Sequence, residues 1–200
     1  MIAGPNGSGK TTVTISLRRN HWSEDVEYIN PDDIAKEKFG DWNSRDAILD
    51  AANWAQARRE ELLEQHAGIA FETVFSAPDK VTFLKRAKEV GYFLRVFFVS
   101  TSDPRINAAR VTRRMMNGGH TVPLEKIISR YDKSMVNLVA AISIADRVYI
   151  YDNSVENAEA TLCARVNEGM LRKIYVDLPE WVSDAITDLQ HHPKFEDARE

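Results

Sequence analysis

Gly4-Pro5-Asn6-Gly7-Ser8-Gly9-Lys10-Thr11 is a glycine-rich run closed by a lysine and a hydroxyl residue, and its reading decides the fold. The spacing Gly-x-x-x-x-Gly-Lys-Thr lets backbone N–H groups wrap around phosphate oxygens, while the helix that follows offers its positive end to the anion. Gly4, Pro5, Asn6, Gly7, Ser8, Gly9, Lys10, Thr11 and Thr12 are therefore the predicted nucleotide contacts. Lys10 would neutralise β- and γ-phosphate oxygens, and the Thr11 hydroxyl would hold Mg2+. The expected ligand is ATP, with GTP as the alternative. A chance match on an ordinary glycine-rich loop is disfavoured, because Met1-Ile2-Ala3 supplies a strand remnant before the run and a helical pattern follows it. That strand is either unusually short or continued by residues upstream of Met1.

Outward from the loop, the pattern alternates strand and helix. Lys10–Arg19 reads as a helix, Val26–Asn30 as a strand ended by Pro31, and the stretch after Asn43 or Ser44 as a long helix. Ile48, Ala52, Ala55 and Leu62 keep helical spacing there, Arg58, Arg59, Glu60, Glu61 and Glu64 read as a solvated face, and Gly68 suits the exit. Gly68–Thr73 is a strand, Pro78–Val90 a helix and Tyr92–Ser100 a strongly apolar strand. Asp103-Pro104 opens a helix carrying Arg105, Arg110, Arg113 and Arg114, which stops at Gly118-Gly119. A second helix follows Pro123, with Ile128, Tyr131, Met135, Leu138 and Ile142 as its packed stripe and Arg130, Ser134 and Asn137 on a polar face. Arg147–Tyr151 is a further core strand. Leu162–Val166 and Leu171–Val176 form a β-hairpin around Asn167-Glu168-Gly169, and a helix follows Pro179. This order predicts an α/β fold of the P-loop NTPase type: a mainly parallel sheet with helices on both faces, a helical lid over about 103–140 and a C-terminal hairpin and helix over about 160–190. The whole chain reads as a single domain, with ligands above the carboxyl ends of the strands.

Composition bounds the partners. The chain has 200 residues, of which 44% are hydrophobic, enough for one sizeable core. A net charge of −4 supplies no global basic field, which argues against nucleic acid as a partner. The longest apolar stretch is interrupted by Arg95 and is too short to cross a membrane. The single cysteine, Cys163, has no partner for an internal disulfide, so it reads as core packing in a reducing, cytoplasmic protein.

A kinase must weaken the O–H bond of its acceptor, and an aspartate at the end of a strand beside the phosphate loop suits that task. Asp32 is the candidate base; Asp33 is read either as an acceptor contact or as a cap for the helix beginning at Ile34, and both carboxylates as a capping pair is the bland alternative. Glu72 and Thr73 end an apolar strand and would project into the same cleft as acceptor ligands, against a plain solvent-facing strand end. Arg110 and Arg114 share a helix face, and with Arg130 on the next helix they could close over a triphosphate, Arg130 and Arg114 ahead of Arg110. His120 and the four tryptophans carry no comparable signal.

These motifs together resemble the zeta-toxin family of P-loop kinases, and its compact branch in particular. The resemblance rests on Ile2–Thr12, Ile29-Asn30-Pro31-Asp32-Asp33-Ile34-Ala35 and Phe71-Glu72-Thr73. It continues through Arg110-Val111, Arg114, Gly118-Gly119-His120, Val122-Pro123, Arg130-Tyr131, Ser134, Asn137-Leu138 and Asp152-Asn153-Ser154. It implies a kinase that uses ATP or GTP with Mg2+ to phosphorylate the sugar 3′-hydroxyl of UDP-N-acetylglucosamine or a related metabolite. By that likeness Asp32 is the general base, Glu72 a sugar ligand, Arg114 and Arg130 the stabilisers of the transferred phosphoryl group, and Asn153 a neighbour of the nucleotide base. An antitoxin protein is the partner the family implies. Ser129 and Lys133 depart from the branch, which often carries further arginines there, and lysine cannot reproduce a bidentate fork. The rival class is a nucleotide-dependent switch or assembly ATPase, disfavoured by the absence of a Leu-Ser-Gly-Gly-Gln or Asn-Lys-x-Asp motif.

Overall fold

The computed structural model describes residues 1–18, 25–39, 44–116 and 122–190. The chain opens with β1 (Ile2–Ala3), α1 (Lys10–Leu17), β2 (Val26–Ile29), α2 (Pro31–Lys38), α3 (Arg45–Glu64), β3 (Gly68–Thr73) and α4 (Asp79–Glu89). It continues through β4 (Arg95–Ser100), α5 (Pro104–Met116), α6 (Leu124–Ile144), β5 (Arg147–Asp152), β6 (Thr161–Asn167), β7 (Met170–Ile174) and α7 (Glu180–Gln190). The strands form one sheet in the order β2-β3-β1-β4-β5-β6-β7. The first five are parallel and the last two antiparallel, with helices on both faces, as the alternating pattern predicted.

β1 is short yet central. Ile2 lies opposite Glu72 and Phe97, and Ala3 opposite Thr73 and Phe98, so two residues are clamped by a strand on each side. The chain runs outward from β1 to β2, returns through β3, and then crosses to β4. A crevice therefore opens at the carboxyl end of β1, the place where parallel sheets take ligands. Beneath it Val96, Phe98, Val148, Ile150 and Val166 are buried, packed with Leu138 and Ile142 of α6 and with Val182 of α7. Trp181 lies against Phe98, and its indole N–H donates to Asp152 Oδ1 at 2.8 Å, which ties α7 to the end of β5. Cys163 is buried in this core, as expected.

Several sequence readings shift by one residue. In α3 the buried positions are Ala47, Ala51, Ala55, Leu62 and Leu63, whereas Ile48 and Ala52 face outward; Ser44 is the cap, accepting from Ala47 N at 3.1 Å. Arg59 was expected on a solvated face but is buried, with its guanidinium 5.0 Å from the Phe71 ring centre. Gly68 does not end α3: His66 takes the left-handed turn with φ 53°, and Gly68 begins β3. In α6 the packed stripe contains Ile127 and Ser134, while Ile128 is exposed. The Gly118-Gly119 hinge, His120, Trp22, Trp42 and the tail from His191 lie outside the described residues.

The α6 correction is testable by thermal or denaturant unfolding. Leu138→Ala, at a fully buried position, is expected to cost about 2–5 kcal/mol through lost transfer energy and a cavity. Ile128→Ala should cost less than about 1 kcal/mol, as at other surface positions. Equal losses would return Ile128 to the core.

Candidate functional site

The carbonyls of the glycine-rich loop are taken by side chains from three elements. Lys10 Nζ donates to the carbonyls of Gly4 and Pro5 at 2.9 and 3.0 Å, Asn107 Nδ2 to Asn6 O at 2.7 Å, and Asn153 Nδ2 to Ser8 O at 2.8 Å. Gly7 and Gly9 have φ of 77° and 90°, and a Cβ on either would lie 2.6 Å from Asn107 O or 2.2 Å from Asn153 Nδ2. These positions need glycine for conformation and for space alike. Ser8 is buried, and its hydroxyl has no hydrogen-bond partner among the described residues. Burial lowers the Lys10 pKa to about 8, against the raising fields of Glu72 and Asp32, with Arg114 lowering it further. Lys10, Asp32, Glu72 and Arg114 thus share one electrostatic neighbourhood.

Asn30 settles the capping question around the aspartates. Its Oδ1 accepts from Asp32 N at 3.1 Å, and Pro31 occupies the first helical position, where the missing N–H costs nothing. Neither Asp32 nor Asp33 is the cap. Both carboxylates are exposed in the first turn of α2, a favourable place for negative charge. Asp33 also lines a cavity of about 350 Å³ between α1, β2 and α2, together with Thr14, Arg18, Tyr28, Asn30 and Glu37.

Glu72 is buried at the end of β3. Its Oε1 accepts from Thr14 Oγ1 at 2.6 Å and from the Tyr28 hydroxyl at 2.7 Å, and its Oε2 from Thr11 Oγ1 at 3.3 Å. Thr73 turns to its own backbone, where its hydroxyl accepts from Phe75 N at 3.1 Å. Phe75 has a φ of 60°, and Asn137 holds that turn by donating to Phe75 O at 2.8 Å. The Ser134 hydroxyl lies 2.7 Å from Val74 O. The polar face of α6 therefore fastens the segment that leaves β3.

Three arginines separate in role. Arg130 Nη1 donates to Asn6 Oδ1 at 3.3 Å, so it reaches the loop. Arg114 is exposed and makes no salt bridge among the described residues. Arg110 points instead to the carbonyl of Val155 at 3.3 Å, and Arg113 pairs with Glu156, so these two fasten α5 to the loop after β5. Asn153 is placed against Ser8 and Gly9 by a backbone bond to Ser100 O at 2.8 Å. Thr14 and Tyr28, which hold Glu72, and Asn107, which holds Asn6, are neighbours of the candidate site that motif reading missed. Their signal was only a polar group at a position whose periodicity faces inward.

The family model described as zeta toxin matches residues 1–160. An uncharacterized protein of Haemophilus influenzae is 28% identical over 128 residues, 64% of this chain and 88% of its own length. Among solved structures, the AvrRxo1-ORF1:-ORF2 complex aligns with a TM-score of 0.65 at 17% identity, over 92% of this chain and 62% of that chain. The chain thus spans less than two thirds of that protein. The same pair solved with ATP gives a TM-score of 0.57 at 16% identity, over 87% of this chain and 60% of that one. The PezAT chromosomal toxin–antitoxin system of Streptococcus pneumoniae gives 0.53 at 15%, over 95% and 84%. At these identities the structures establish a shared fold.

The Lys10 pKa sets a pH dependence. An anionic phosphate favours the protonated amine, so binding must recharge Lys10 once the solution pH exceeds about 8. ATP affinity measured by calorimetry is expected to fall roughly tenfold between pH 7 and pH 9. Lys10→Ala should bind weakly at both and lose that dependence; a pH-independent wild type would show that the Lys10 amine stays protonated across this range.

Proposed function

We propose that this chain, which belongs to the zeta-toxin family, transfers the γ-phosphoryl group of ATP to a hydroxyl of UDP-N-acetylglucosamine or a related nucleotide sugar. The reading is supported best by the glycine loop, with Lys10 and Thr11 at its end and an Asp32 carboxylate that the Asn30 cap leaves out of the helix end. A loop alone would serve a switch as well, but an uncapped aspartate beside it gives an acceptor's proton somewhere to go.

Gly7, Gly9 and the start of α1 cradle the phosphates, and Lys10 neutralises their outer oxygens. The Thr11 hydroxyl, with a carboxylate behind it, is a donor set that suits Mg2+, which neutralises β- and γ-phosphate oxygens when bound. The acceptor hydroxyl gives its proton to the Asp32 carboxylate as its oxygen bonds to the γ-phosphorus. The bond from that phosphorus to the β,γ-bridging oxygen breaks, and ADP leaves. Arg130, which already reaches Asn6 of the loop, and Arg114 stabilise the charge on the transferred group. Asp33 lines a cavity between α1, β2 and α2, and that cavity is a candidate seat for part of the acceptor. GTP in place of ATP, an antitoxin protein as regulator and a cytoplasmic setting are the remaining parts of this reading; among the described residues no helix is long and apolar enough to cross a membrane.

Incubation with MgATP and UDP-N-acetylglucosamine should release ADP and raise the sugar nucleotide by one phosphate in mass, with Lys10→Ala inactive. ADP without modified sugar would remove this acceptor. Asp32→Asn is expected to bind ATP normally and to lose at least about 10²-fold in kcat. Arg130→Ala should lose about 10³-fold, and Arg130→Lys should not restore it, because a point charge replaces a planar fork. An Asp32→Asn enzyme as fast as wild type would dismiss it as the base.

A further inference from the structure

Glu72 does not stand free at the strand end as a ligand for an acceptor would. Its carboxylate is buried, and Oε1 already accepts two short hydrogen bonds, from Thr14 and from Tyr28. Two donors on one oxygen fix the rotation of the group. That leaves Oε2 turned toward Thr11, whose hydroxyl donates to it over a longer 3.3 Å. A threonine hydroxyl has one hydrogen. With that hydrogen directed at Oε2, its lone pairs are directed away from Glu72.

The placement of Tyr28 follows from the sheet. It lies opposite Ala70 in the parallel pairing of β2 with β3, so it shares a sheet face with Ala70 and with Glu72 two residues on. The small Ala70 side chain leaves room for the phenol ring to lie along the sheet. The Arg18 guanidinium, 4.8 Å from the ring centre, covers its other side. Burial, then Glu72 itself, pushes the Tyr28 pKa well above its ordinary value, so the phenol remains a donor. Thr14 arrives from one turn beyond Thr11 on α1, and the helix and two strands therefore meet at one carboxylate.

We propose that Tyr28 and Thr14 are positioning residues that hold Glu72 on the Mg2+ side of the phosphate loop, so that Glu72 orients the Thr11 hydroxyl and accepts from water around the cation. This rests on the nucleotide-binding reading and departs from the sugar-ligand part that the family resemblance implies for Glu72. The acceptor then meets Asp32 and Asp33, and not Glu72.

The test is ATP binding by calorimetry, first in EDTA and then at stepped Mg2+ concentrations. In EDTA, Tyr28→Phe should match wild type and Lys10→Ala should lose binding. With Mg2+, Tyr28→Phe should need about tenfold more cation for half-maximal enhancement, the scale of an outer-shell loss. Glu72→Gln should need more still. The double variant should equal Glu72→Gln alone, since Tyr28 acts through it. Thr14→Val should follow Tyr28→Phe, and Thr14→Ser should behave as wild type, which keeps the proposal testable if Tyr28→Phe fails to fold. An unchanged Mg2+ requirement in both Tyr28→Phe and Thr14→Val, or additive effects in the double variant, would overturn it. Equal binding by Lys10→Ala and wild type in EDTA would instead sink the phosphate-loop reading.

Discussion

A loop that holds a polyphosphate must leave its N–H groups unpaired on one side, and the remaining architecture follows from how its carbonyls are satisfied on the other. Here Lys10 takes Gly4 and Pro5, Asn107 takes Asn6, and Asn153 takes Ser8. Each donor comes from a different element: α1, α5 and the end of β5. The loop is therefore not a local motif with a scaffold attached. Its shape requires the β4–α5 and β5 junctions to be in place, because a buried carbonyl without a donor costs about 1–3 kcal/mol.

The sheet order then distributes charge. β2 and β3 lie on one side of β1, and their ends bring Asp32, Asp33 and Glu72 to that flank; the arginines come from α5 and α6, which lie beyond β4 in the chain. The carboxylates come from α2 and the end of β3, and Arg130 comes from the face of α6 that fastens the segment after β3. The Asn30 cap matters here, because a helix capped by Asp32 would spend that carboxylate on backbone N–H groups. A side chain cannot both close the helix end and receive a proton from an acceptor.

Much of this was legible in sequence. The glycine run, the strand-end acids and the alternation of strand and helix located the loop, the crevice and the parallel sheet. What was not legible concerned which neighbour a residue meets. Periodicity gives a helix face to within one residue, so Ile48 and Ile128 were placed inward where Ala47 and Ile127 are buried. Arg59 read as solvated because charge usually is, yet the ring of Phe71 offers its guanidinium a buried seat. Arg110 read as a phosphate ligand because helical spacing sets it beside Arg114, but spacing cannot reveal that Val155 lies within its reach. Tyr28 was invisible for a related reason: a tyrosine in a strand ordinarily signals packing, and only the pairing of β2 with β3 brings its hydroxyl to Glu72.

Ser129 and Lys133 bear on how many arginines the reaction needs. Arg130, Ser134 and Asn137 recur at four and three residues and share one face of α6. All three are engaged: Arg130 with Asn6, Ser134 with Val74, and Asn137 with Phe75. Ser129 lies about 100° and Lys133 about 60° from Arg130 around the helix, and both are exposed. Arg130 touches the loop through Asn6. The face of α6 that anchors the segment after β3 is thus the face that aims Arg130, so one set of hydrogen bonds fixes both.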